Sequence, residues 1–459
     1  MDNLIDILSN AKSIAVIGAS NKVGRPGYTI MKNLIDGKFE GVIYPINPRE
    51  EEILGIKAFR NLRDIPSNSI DICIIAIAAH KVPSILKECC EKHAKLAIII
   101  SAGFSEVGNR DLEKEILSIA KDCGIRILGP NTAGLMYIPS KLFASIETTP
   151  LSGDIAFIAQ SGALASIFIE ILRQRNLGLS LYLGLGNRID IDEVDALELA
   201  LRDSATKSIA MYLEGFKRGR EFLKLALEAI EFKPITLLLG GRSRAGSRAI
   251  QSHTASLALD TAMVIDILKQ YGICVVDTLE DLANVSYAIP RLEPVNGKKV
   301  CILTNSGGPS VLATDYIEMM DLEVPELSDS IRNELRKFLP SIAILNNPID
   351  MTAEADYERV YNSLKTLASC RDCDYIVFIY IPTASSPWRD VIDALSDISK
   401  EHRNVIAYVG GEDSERMVLE LEKRDIPVVT TLKSIATTIR CSYIRAKNIK
   451  KVQQYRSLF

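Results

Sequence analysis

The sequence has no long uncharged hydrophobic run, no excess of basic residues, and only four histidines and one tryptophan in 459 residues. The missing run excludes a helical membrane span, which needs about 20 apolar residues, and the acidic N-terminus lacks a signal-peptide pattern. A net charge of −4 and a pI of about 5.8 give no reason to expect nucleic acid as a partner. We therefore expect a cytoplasmic protein with several domains that contacts neither membrane nor nucleic acid.

Cysteine is present, but its nine residues are scattered, and Cys73, Cys274 and Cys301 lie inside apolar strand-like runs. This distribution favours reduced thiols over a disulfide framework. Cys370 and Cys373 form a lone C-x-x-C motif that precedes a predicted strand, whereas a redox motif would place its first cysteine at the start of a helix. We predict ordinary structural cysteines there, and no metal site.

Short apolar runs alternate with amphipathic stretches along the whole chain. Runs such as SIAVIGAS (13–20) and GDIAFIAQ (153–160) are typical of parallel strands buried on both faces. The rhythm restarts twice, and the segment 288–299, with two prolines and a glycine, is typical of a linker. The pattern predicts an α/β protein with three doubly wound domains. The predicted domains are residues 1–145, 146–290 and 297–459.

Glycines and cations follow the first predicted strand, and sheets of this type bind ligands at the edge where their strands end. Gly18 ends the strand, and Gly24 lies downstream between Lys22 and Arg25. Glycine lets backbone N–H groups approach a phosphate, and the cations neutralise it. The spacing is not G-x-G-x-x-G, and the second strand ends in Asn47 rather than in the acid that binds an NAD ribose. The pattern predicts a nucleotide-containing ligand other than NAD, with a plain β–α turn as the alternative.

The second domain opens with a strand followed by Gln160, Ser161 and Gly162. A Ser-Gly pair at the start of a helix leaves the first N–H groups free, and the helix dipole adds roughly half a positive charge. This predicts an anion site, with an ordinary N-cap serine as the alternative. Glu214 ends the strand MYLEG, where a carboxylate could orient an imidazole by holding its Nδ1–H. A solvated glutamate is the alternative there.

His253 differs from the other histidines because its neighbours are small and basic. Arg242, Arg244 and Arg248 precede it, and residues 232–259 contain no acid. A metal ligand is disfavoured because no second ligand lies at a suitable spacing, and a general base stays open. A phosphoryl-carrying nucleophile fits best, because imidazole with a pKa of about 6.5 is largely neutral near pH 7. Arginines without acids suit a dianionic phosphoryl group, and the glycines predict a mobile loop.

Taken in order, these segments resemble the alpha subunit of ADP-forming acyl-CoA (acetyl-CoA) synthetases, within the succinyl-CoA synthetase superfamily. The similarity runs through AVIGASNKVGRPGY, IYPINP, SAGFSE, GPNTAG, IAQSGALAS, GLGNRIDIDEVD, YLEG, GRSRAGSRAIQSHTASLA, TNSGGPS and NNPIDM. Thr132 and Ala255 depart from the pattern, since relatives often have Cys and Gly there, and Ala255 would slightly stiffen the histidine segment. The resemblance implies a Rossmann-like CoA-binding domain followed by two flavodoxin-like domains, the last in contact with another subunit.

The resemblance also implies a role for each matching residue. His253 would carry the phosphoryl group, and Glu214 would hydrogen-bond to it. CoA would be held by Gly18, Ala19, Ser20, Lys22, Gly24, Arg25, Asn47, Pro48, Ser101, Ala102, Gly103 and Asn131, and phosphate by Gln160, Ser161, Gly162 and Ala163.

The implied reaction is acyl-CoA + phosphate + ADP ⇌ carboxylic acid + CoA + ATP. ADP or ATP and Mg²⁺ would bind to a separate beta subunit with an ATP-grasp domain, in a heterotetramer of two alpha and two beta subunits. A non-catalytic CoA-sensing protein is the alternative, but it need not retain the histidine, the glutamate and the Ser-Gly pair together. An NAD-linked dehydrogenase is disfavoured by the missing ribose acid. Acetate, branched and aryl acids all stay open as substrates.

Overall fold

The computed structural model describes residues 4–254, 261–383, 386 and 388–456, with only the backbone described at 251–254 and 455–456. Three sheets flanked by helices follow one another along the chain, which confirms the predicted doubly wound α/β architecture. The chain forms two compact units. One contains the first sheet and most of the second, and the other contains the third.

The first sheet is entirely parallel and has the strand order β2-β1-β5-β6-β7. Its central strands read as continuous apolar runs because both faces are buried by helices. The strands are β1 (Ser13–Ile17), β2 (Val42–Ile46), β5 (Ile72–Ile75), β6 (Leu96–Ile99) and β7 (Arg126–Leu128), with a small hairpin of β3 (Glu52–Ile53) and β4 (Ile56–Lys57). The helices are α1 (Leu4–Asn10), α2 (Pro26–Asp36), α3 (Val82–Glu91) and α4 (Arg110–Cys123).

The second sheet has the order β14-β13-β12-β10-β11-β8-β9. Its strands are β8 (Gly134–Tyr137), β9 (Leu142–Ser145), β10 (Leu151–Ala159), β11 (Gly178–Gly184), β12 (Ser208–Leu213), β13 (Ile235–Leu239) and β14 (Cys274–Val276). Its helices are α5 (Gly162–Gln174), α6 (Glu193–Arg202), α7 (Gly219–Ala229), α8 (Arg244–Thr254), α9 (Thr261–Gln270) and α10 (Leu279–Ala288). The hairpin of β8 and β9, which the predicted boundary assigned to the first domain, pairs antiparallel with β11 and so belongs to this sheet.

The third sheet is again parallel, with the order β16-β15-β17-β18-β19. Its strands are β15 (Val300–Thr304), β16 (Ile349–Asp350), β17 (Tyr375–Tyr380), β18 (Val405–Val409) and β19 (Val428–Val429). Its helices are α11 (Gly307–Met319), α12 (Asp329–Leu335), α13 (Tyr357–Ala368), α14 (Trp388–Glu401), α15 (Ser414–Lys423) and α16 (Leu432–Arg456).

Six cysteines form disulfides, so the expectation of reduced thiols without a disulfide framework was wrong. The pairs are Cys90–Cys123, Cys274–Cys441 and Cys301–Cys373. Each pair joins residues at least 33 positions apart in sequence, and only the packing of the elements that carry them brings them together. Cys370, in the C-x-x-C motif, keeps a free thiol with its sulfur 3.4 Å from that of Cys373.

No helix within the described residues combines the length and the apolar composition that a membrane crossing requires.

Candidate functional site

The first strand of the first sheet ends at a glycine that no other residue could replace without a clash. Gly18 has φ +88°, and a Cβ built on it would lie 2.3 Å from the carbonyl oxygen of Ala76. Its N–H donates to the carbonyl of Ile46 at 3.1 Å. Gly27, on α2, packs equally closely, since its Cβ would lie 2.0 Å from the Gly18 carbonyl oxygen. The start of α2 is therefore pressed directly against the end of β1.

The loop between β1 and α2 presents backbone and cationic groups to solvent. Ser20 Oγ accepts from the Lys22 N–H at 3.0 Å, and the Arg25 N–H donates to the Lys22 carbonyl at 3.2 Å. Lys22, Gly24 and Arg25 are all exposed, and Gly24 has φ +84° with open space around it. A turn of this kind before a helix N-terminus can bind a phosphate or pyrophosphate.

The neighbouring strand ends complete this edge of the sheet. Asn47 Nδ2 donates to the carbonyl of Ala19 at 2.8 Å, which ties the end of β2 to the glycine loop, and Pro48 after it is exposed. Ser101 Oγ donates to the carbonyl of Ile77 at 2.6 Å. The structure therefore places the predicted residues from β1, β2 and β6 along one edge.

Two residues from outside the predicted set support the turn that follows β6, a turn that also contains Ala102. The Gly103 N–H donates to Glu106 Oε1, and Asn187 Nδ2 donates to Glu106 Oε2 at 2.6 Å. Burial acts to raise the pKa of Glu106, but these hydrogen bonds outweigh it and leave the pKa below its usual value. Asn131, exposed and with φ +57°, donates its N–H to the Ser101 carbonyl. Asn187 lies 56 residues further along the chain, so no local signal indicates its role.

In the second sheet, β10 ends directly at a helix start, as predicted. The Gln160 N–H donates to the Tyr212 carbonyl at 3.0 Å, and α5 begins two residues later at Gly162. Ser161 Oγ accepts from the Leu164 N–H at 3.4 Å, so the serine acts as a weak N-cap. Ser161 and Gly162 are half-buried and Ala163 is exposed, which leaves this helix start open to a ligand. Free N–H groups and the helix dipole favour an anion there.

Glu214 lies beside this helix start and is oriented by its neighbours. Its N–H donates to Gln160 Oε1 at 2.9 Å, and the Tyr212 hydroxyl donates to Glu214 Oε1 at 3.2 Å. Burial, followed by the charge and hydrogen bond of Glu214, raises the pKa of Tyr212 well above its usual value. Glu214 Oε2 is buried and has no hydrogen-bond partner among the described residues. A buried carboxylate oxygen in that state is set up to accept one more donor.

The segment that contains His253 is a helix, α8, up to Thr254, so the predicted loop was wrong for residues 244–254. Ile250 packs its Cδ1 2.7 Å from the position of a Cβ on Gly241 and 3.3 Å from that on Gly240. The Cγ of Glu214 lies 3.5 Å from the same Gly240 position. Ile250 and Glu214 thus both approach Gly240, and the backbone of His253 lies one turn beyond Ile250, while the His253 side chain is outside the described part.

The arginines of this segment occupy its outer side. Arg242 Nε donates to the Leu239 carbonyl at 3.2 Å, and Arg242, Arg244 and Arg248 are exposed. Because α8 also contacts the turn at Ser105–Val107 of the first sheet, this basic helix lies near the first cleft as well.

A buried ion pair, missed in the sequence, holds the loop after Glu214. Arg188 Nη1 donates to Glu193 Oε2 at 2.8 Å and to the Gly215 carbonyl at 2.9 Å. Glu193 Oε1 accepts the backbone N–H groups of Lys217 and Arg218, the latter at 2.9 Å. Arg188 is 5% exposed and Glu193 is fully buried. Three of these four contacts fix the backbone that follows the end of β12, and the ion pair joins the two side chains that make them.

The other three histidines are not among the predicted site residues. His80 and His93 are exposed, and His402 is half-buried on the third sheet's unit. Across the described ranges, no group of three or more His, Cys, Asp or Glu side chains could hold a metal ion.

Comparisons with known protein families identify the two domains that contain these candidate sites. A model of the CoA binding domain matches residues 12–138, and a model of the succinyl-CoA ligase like flavodoxin domain matches residues 152–289. The chain is therefore of the class that joins a CoA-binding domain to a ligase-type flavodoxin domain.

Full-length relatives narrow the class. The alpha subunit of the ADP-forming acetate–CoA ligase II of Pyrococcus furiosus is 35% identical over 454 residues, covering 97% of this chain and 99% of that subunit. The ADP-forming acetate–CoA ligase of Methanocaldococcus jannaschii is 35% identical over 97% of this chain and 64% of that longer protein. A solved acetyl-coenzyme A synthetase 1 of Candidatus Korarchaeum cryptofilum, in complex with phosphate and ADP, is 32% identical with a TM-score of 0.90 over 99% of both chains. This chain belongs to the family of ADP-forming acetate–CoA ligase alpha subunits, which confirms the resemblance noted in the sequence.

Proposed function

We propose that this chain is the alpha subunit of an ADP-forming acyl-CoA synthetase, which interconverts acyl-CoA, phosphate and ADP with a carboxylic acid, CoA and ATP. One structural observation carries the proposal. The buried Oε2 of Glu214 lacks a partner among the described residues, and Glu214 is held by Gln160 just before α5 and approaches Gly240, which Ile250 of α8 also approaches. His253 is on α8, one turn further along.

In the first chemical step, phosphate at the start of α5 attacks the carbonyl carbon of the thioester. The C–S bond breaks, the CoA thiolate leaves, and an acyl phosphate forms. Gly162 and Ala163 provide open backbone N–H groups for the phosphate, with Ser161 and Gln160 preceding them. Donors fixed in advance stabilise the charge that develops on the transferred oxygens without reorganising.

In the second step, the imidazole of His253 attacks phosphorus, the carboxylate leaves, and a phosphohistidine forms. Glu214 accepts the Nδ1–H of the imidazole, so that Nε2 is free to attack, and it stabilises the resulting positive charge. The exposed Arg244 and Arg248 on the same helix balance the charge of the phosphoryl group.

In the last step, ADP takes the phosphoryl group on a partner subunit with an ATP-grasp domain, where Mg²⁺ also binds. The Pyrococcus furiosus relative is named as a subunit, and the Methanocaldococcus jannaschii relative is a longer chain, as expected if the same functions lie on two chains or on one. Phosphoryl transfer of this kind depends mainly on positioning and electrostatic stabilisation. We further propose a heterotetramer of two alpha and two beta subunits, in the cytoplasm.

The test is to incubate the purified chain with acetyl-CoA and radiolabelled phosphate, with and without the partner subunit. We expect a label that is acid-labile and base-stable, and that is absent in His253→Asn while CoA affinity by calorimetry is unchanged. Glu214→Gln should slow labelling by about 100-fold or more, as expected when an orienting carboxylate is lost.

The exposed Glu228 on α7 provides a matched control, since Glu228→Gln makes the same change away from both sites. Labelling that survives in His253→Asn would contradict the histidine assignment. CoA binding without any label in the wild-type protein, with or without partner, would favour the CoA-sensing alternative.

A further inference from the structure

A second buried carboxyl lies under the start of α5. Glu147 is 8% exposed and follows β9 by two residues. Its Oε2 accepts from the hydroxyl of Ser166, one turn into α5, and its Oε1 lies 3.0 Å from the position of a Cβ on Gly162. Burial raises the pKa of Glu147, and the hydrogen bond from Ser166 offsets only part of this shift. The carboxyl is therefore held against the first turn of the helix that we expect to bind phosphate.

The backbone of Glu147 is fixed from both sides. Its N–H donates to Ser145 Oγ at 3.0 Å, and Asn33 Nδ2 donates to the carbonyls of Ser145 and Glu147 at 2.8 and 2.9 Å. Asn33 lies on α2, the helix that follows the glycine loop of the first sheet. Glu147 is thus tied to both the proposed CoA site and the proposed phosphate site.

A buried phenol without a partner lies on the same side of the sheet. Tyr182 on β11 is fully buried, and its hydroxyl has no hydrogen-bond partner among the described residues. Its neighbour across the ladder, Phe157, packs on Phe168 of α5 with 4.2 Å between ring centroids, so this side faces α5. Burial, and then the charge of Glu147, raises the pKa of Tyr182.

Glu147 lies close to the place where the acyl group of the substrate has to be, and its charge acts on Tyr182. Phosphate at the start of α5 attacks the acyl carbonyl, so the acyl group must lie within a few bonds of Gly162. An apolar acyl chain would leave the buried phenol of Tyr182 without a partner and Glu147 with the Ser166 hydroxyl alone, which is unfavourable for both groups. A hydroxyl substituent can donate to one and accept from the other, because it is both donor and acceptor.

We propose that Glu147 and Tyr182 form the acyl end of the site and select hydroxyacyl groups over unsubstituted acyl groups of the same length. This inference rests on the proposed synthetase function. Sites built to hydrogen-bond a substrate hydroxyl discriminate strongly against the analogue that lacks it, because their polar groups are then left unpaired.

The experiment compares kcat/KM for 3-hydroxypropionyl-CoA and propionyl-CoA, followed as phosphate-dependent CoA release by the chain with its partner subunit and ADP. We expect the wild-type protein to prefer the hydroxylated substrate by about 10-fold or more. Glu147→Ala should reduce this ratio to near one, mainly by raising the rate with propionyl-CoA, and Tyr182→Phe should reduce it by a smaller factor. Glu147→Gln keeps the size of the side chain and tests whether the acid group itself matters.

Glu170→Ala, on the exposed side of the same helix, is the control and should leave the ratio unchanged. Equal rates with the two substrates in the wild-type protein, or a ratio unmoved by both changes at Glu147, would overturn the inference while leaving the synthetase function intact. The absence of phosphate-dependent CoA release with every acyl-CoA, acetyl-CoA included, would overturn the proposed function itself.

Discussion

The two candidate sites are built in opposite ways. At the edge of the first sheet the ligand-facing groups are mostly backbone, shaped by Gly18 and Gly24, and the nearby cations are exposed. At the second sheet the important groups are acidic side chains that are buried, such as Glu193 and Glu147. The first arrangement depends on glycines because they have no Cβ atom. The second depends on charged groups that are removed from water and therefore need partners within the protein.

This difference predicts different modes of failure. A site made mostly of backbone groups should be damaged most by added atoms, because a Cβ at a close-packed glycine displaces the backbone that faces the ligand. A site of buried carboxyls should be damaged by lost atoms, because an uncompensated buried charge is strongly destabilising. The first two predictions test one site each, and the third compares the two directly.

The largest effect is expected from Arg188→Met, which breaks the buried pair with Glu193. Removing one partner of a buried pair typically destabilises by about 3–5 kcal/mol, which urea unfolding of the variant would measure. Arg202→Met breaks the exposed pair with Glu198 on the same helix and should change stability by less than about 1 kcal/mol.

The double variant Arg188→Met/Glu193→Leu separates stability from function. It should recover much of the lost stability, since an apolar pair can replace a buried ion pair. Phosphohistidine labelling should stay slow, because the anchors of Gly215, Lys217 and Arg218 are gone and Glu214 loses its fixed position. Full recovery of labelling would show that the pair supports the fold alone.

The next effect concerns the first site and uses a matched pair of glycines. Gly18→Ala would place a Cβ 2.3 Å from the Ala76 carbonyl oxygen, whereas Gly24→Ala meets nothing within 4 Å. Both positions have positive φ, so each variant carries about 1–2 kcal/mol of backbone strain, and only Gly18→Ala adds the clash. We expect Gly18→Ala to have the lower thermal midpoint and the weaker CoA affinity by calorimetry. Equal losses in both variants would mean that backbone conformation, not close packing, limits the site.

The fold and the first site could be predicted largely from the sequence. Continuous apolar strands and glycines at strand ends are local patterns, and Gly18 or Ser161 lies where such patterns place it. The disulfides could not be predicted in this way, and neither could the contacts of Arg188 and Glu193 with residues 215–218, because these groups meet only after the sheets form. No sequence pattern indicated a role for Glu147, because it lies in a polar stretch without a recognisable motif.

One prediction failed for a local reason. The segment around His253 has glycines and polar residues that are typical of a loop, yet residues 244–254 form a helix. Ser243 Oγ accepts the Gly246 N–H at 3.0 Å near its start, and Ile250 packs between Gly240 and Gly241. A single packed side chain and a polar cap are enough to override weak helix propensity.

The smallest effect compares two glutamates, one at each site, whose pKa values are shifted in opposite directions. The lowered pKa of Glu106 means that its carboxylate stabilises the fold above pH 4–5 and that this contribution is lost as pH falls through the folded-state pKa. The raised pKa of Glu147 has the opposite effect, because the charged carboxylate is less favourable in the folded than in the unfolded state. The free energy of unfolding therefore falls as pH rises from the unfolded-state pKa through the folded-state pKa. At pH 7.5 Glu106→Gln should therefore lower the free energy of unfolding and Glu147→Gln should raise it, each on the order of 1 kcal/mol or less because both groups are partly screened. Both differences should shrink as the pH is lowered, that of Glu147 as the pH falls to the unfolded-state pKa and that of Glu106 only as it falls further, through the lowered folded-state pKa. A residue that is kept for substrate binding is expected to lower the stability of the fold. If Glu147→Gln instead lowered the free energy of unfolding at pH 7.5, the carboxyl of Glu147 would support the fold and would not be such a binding residue.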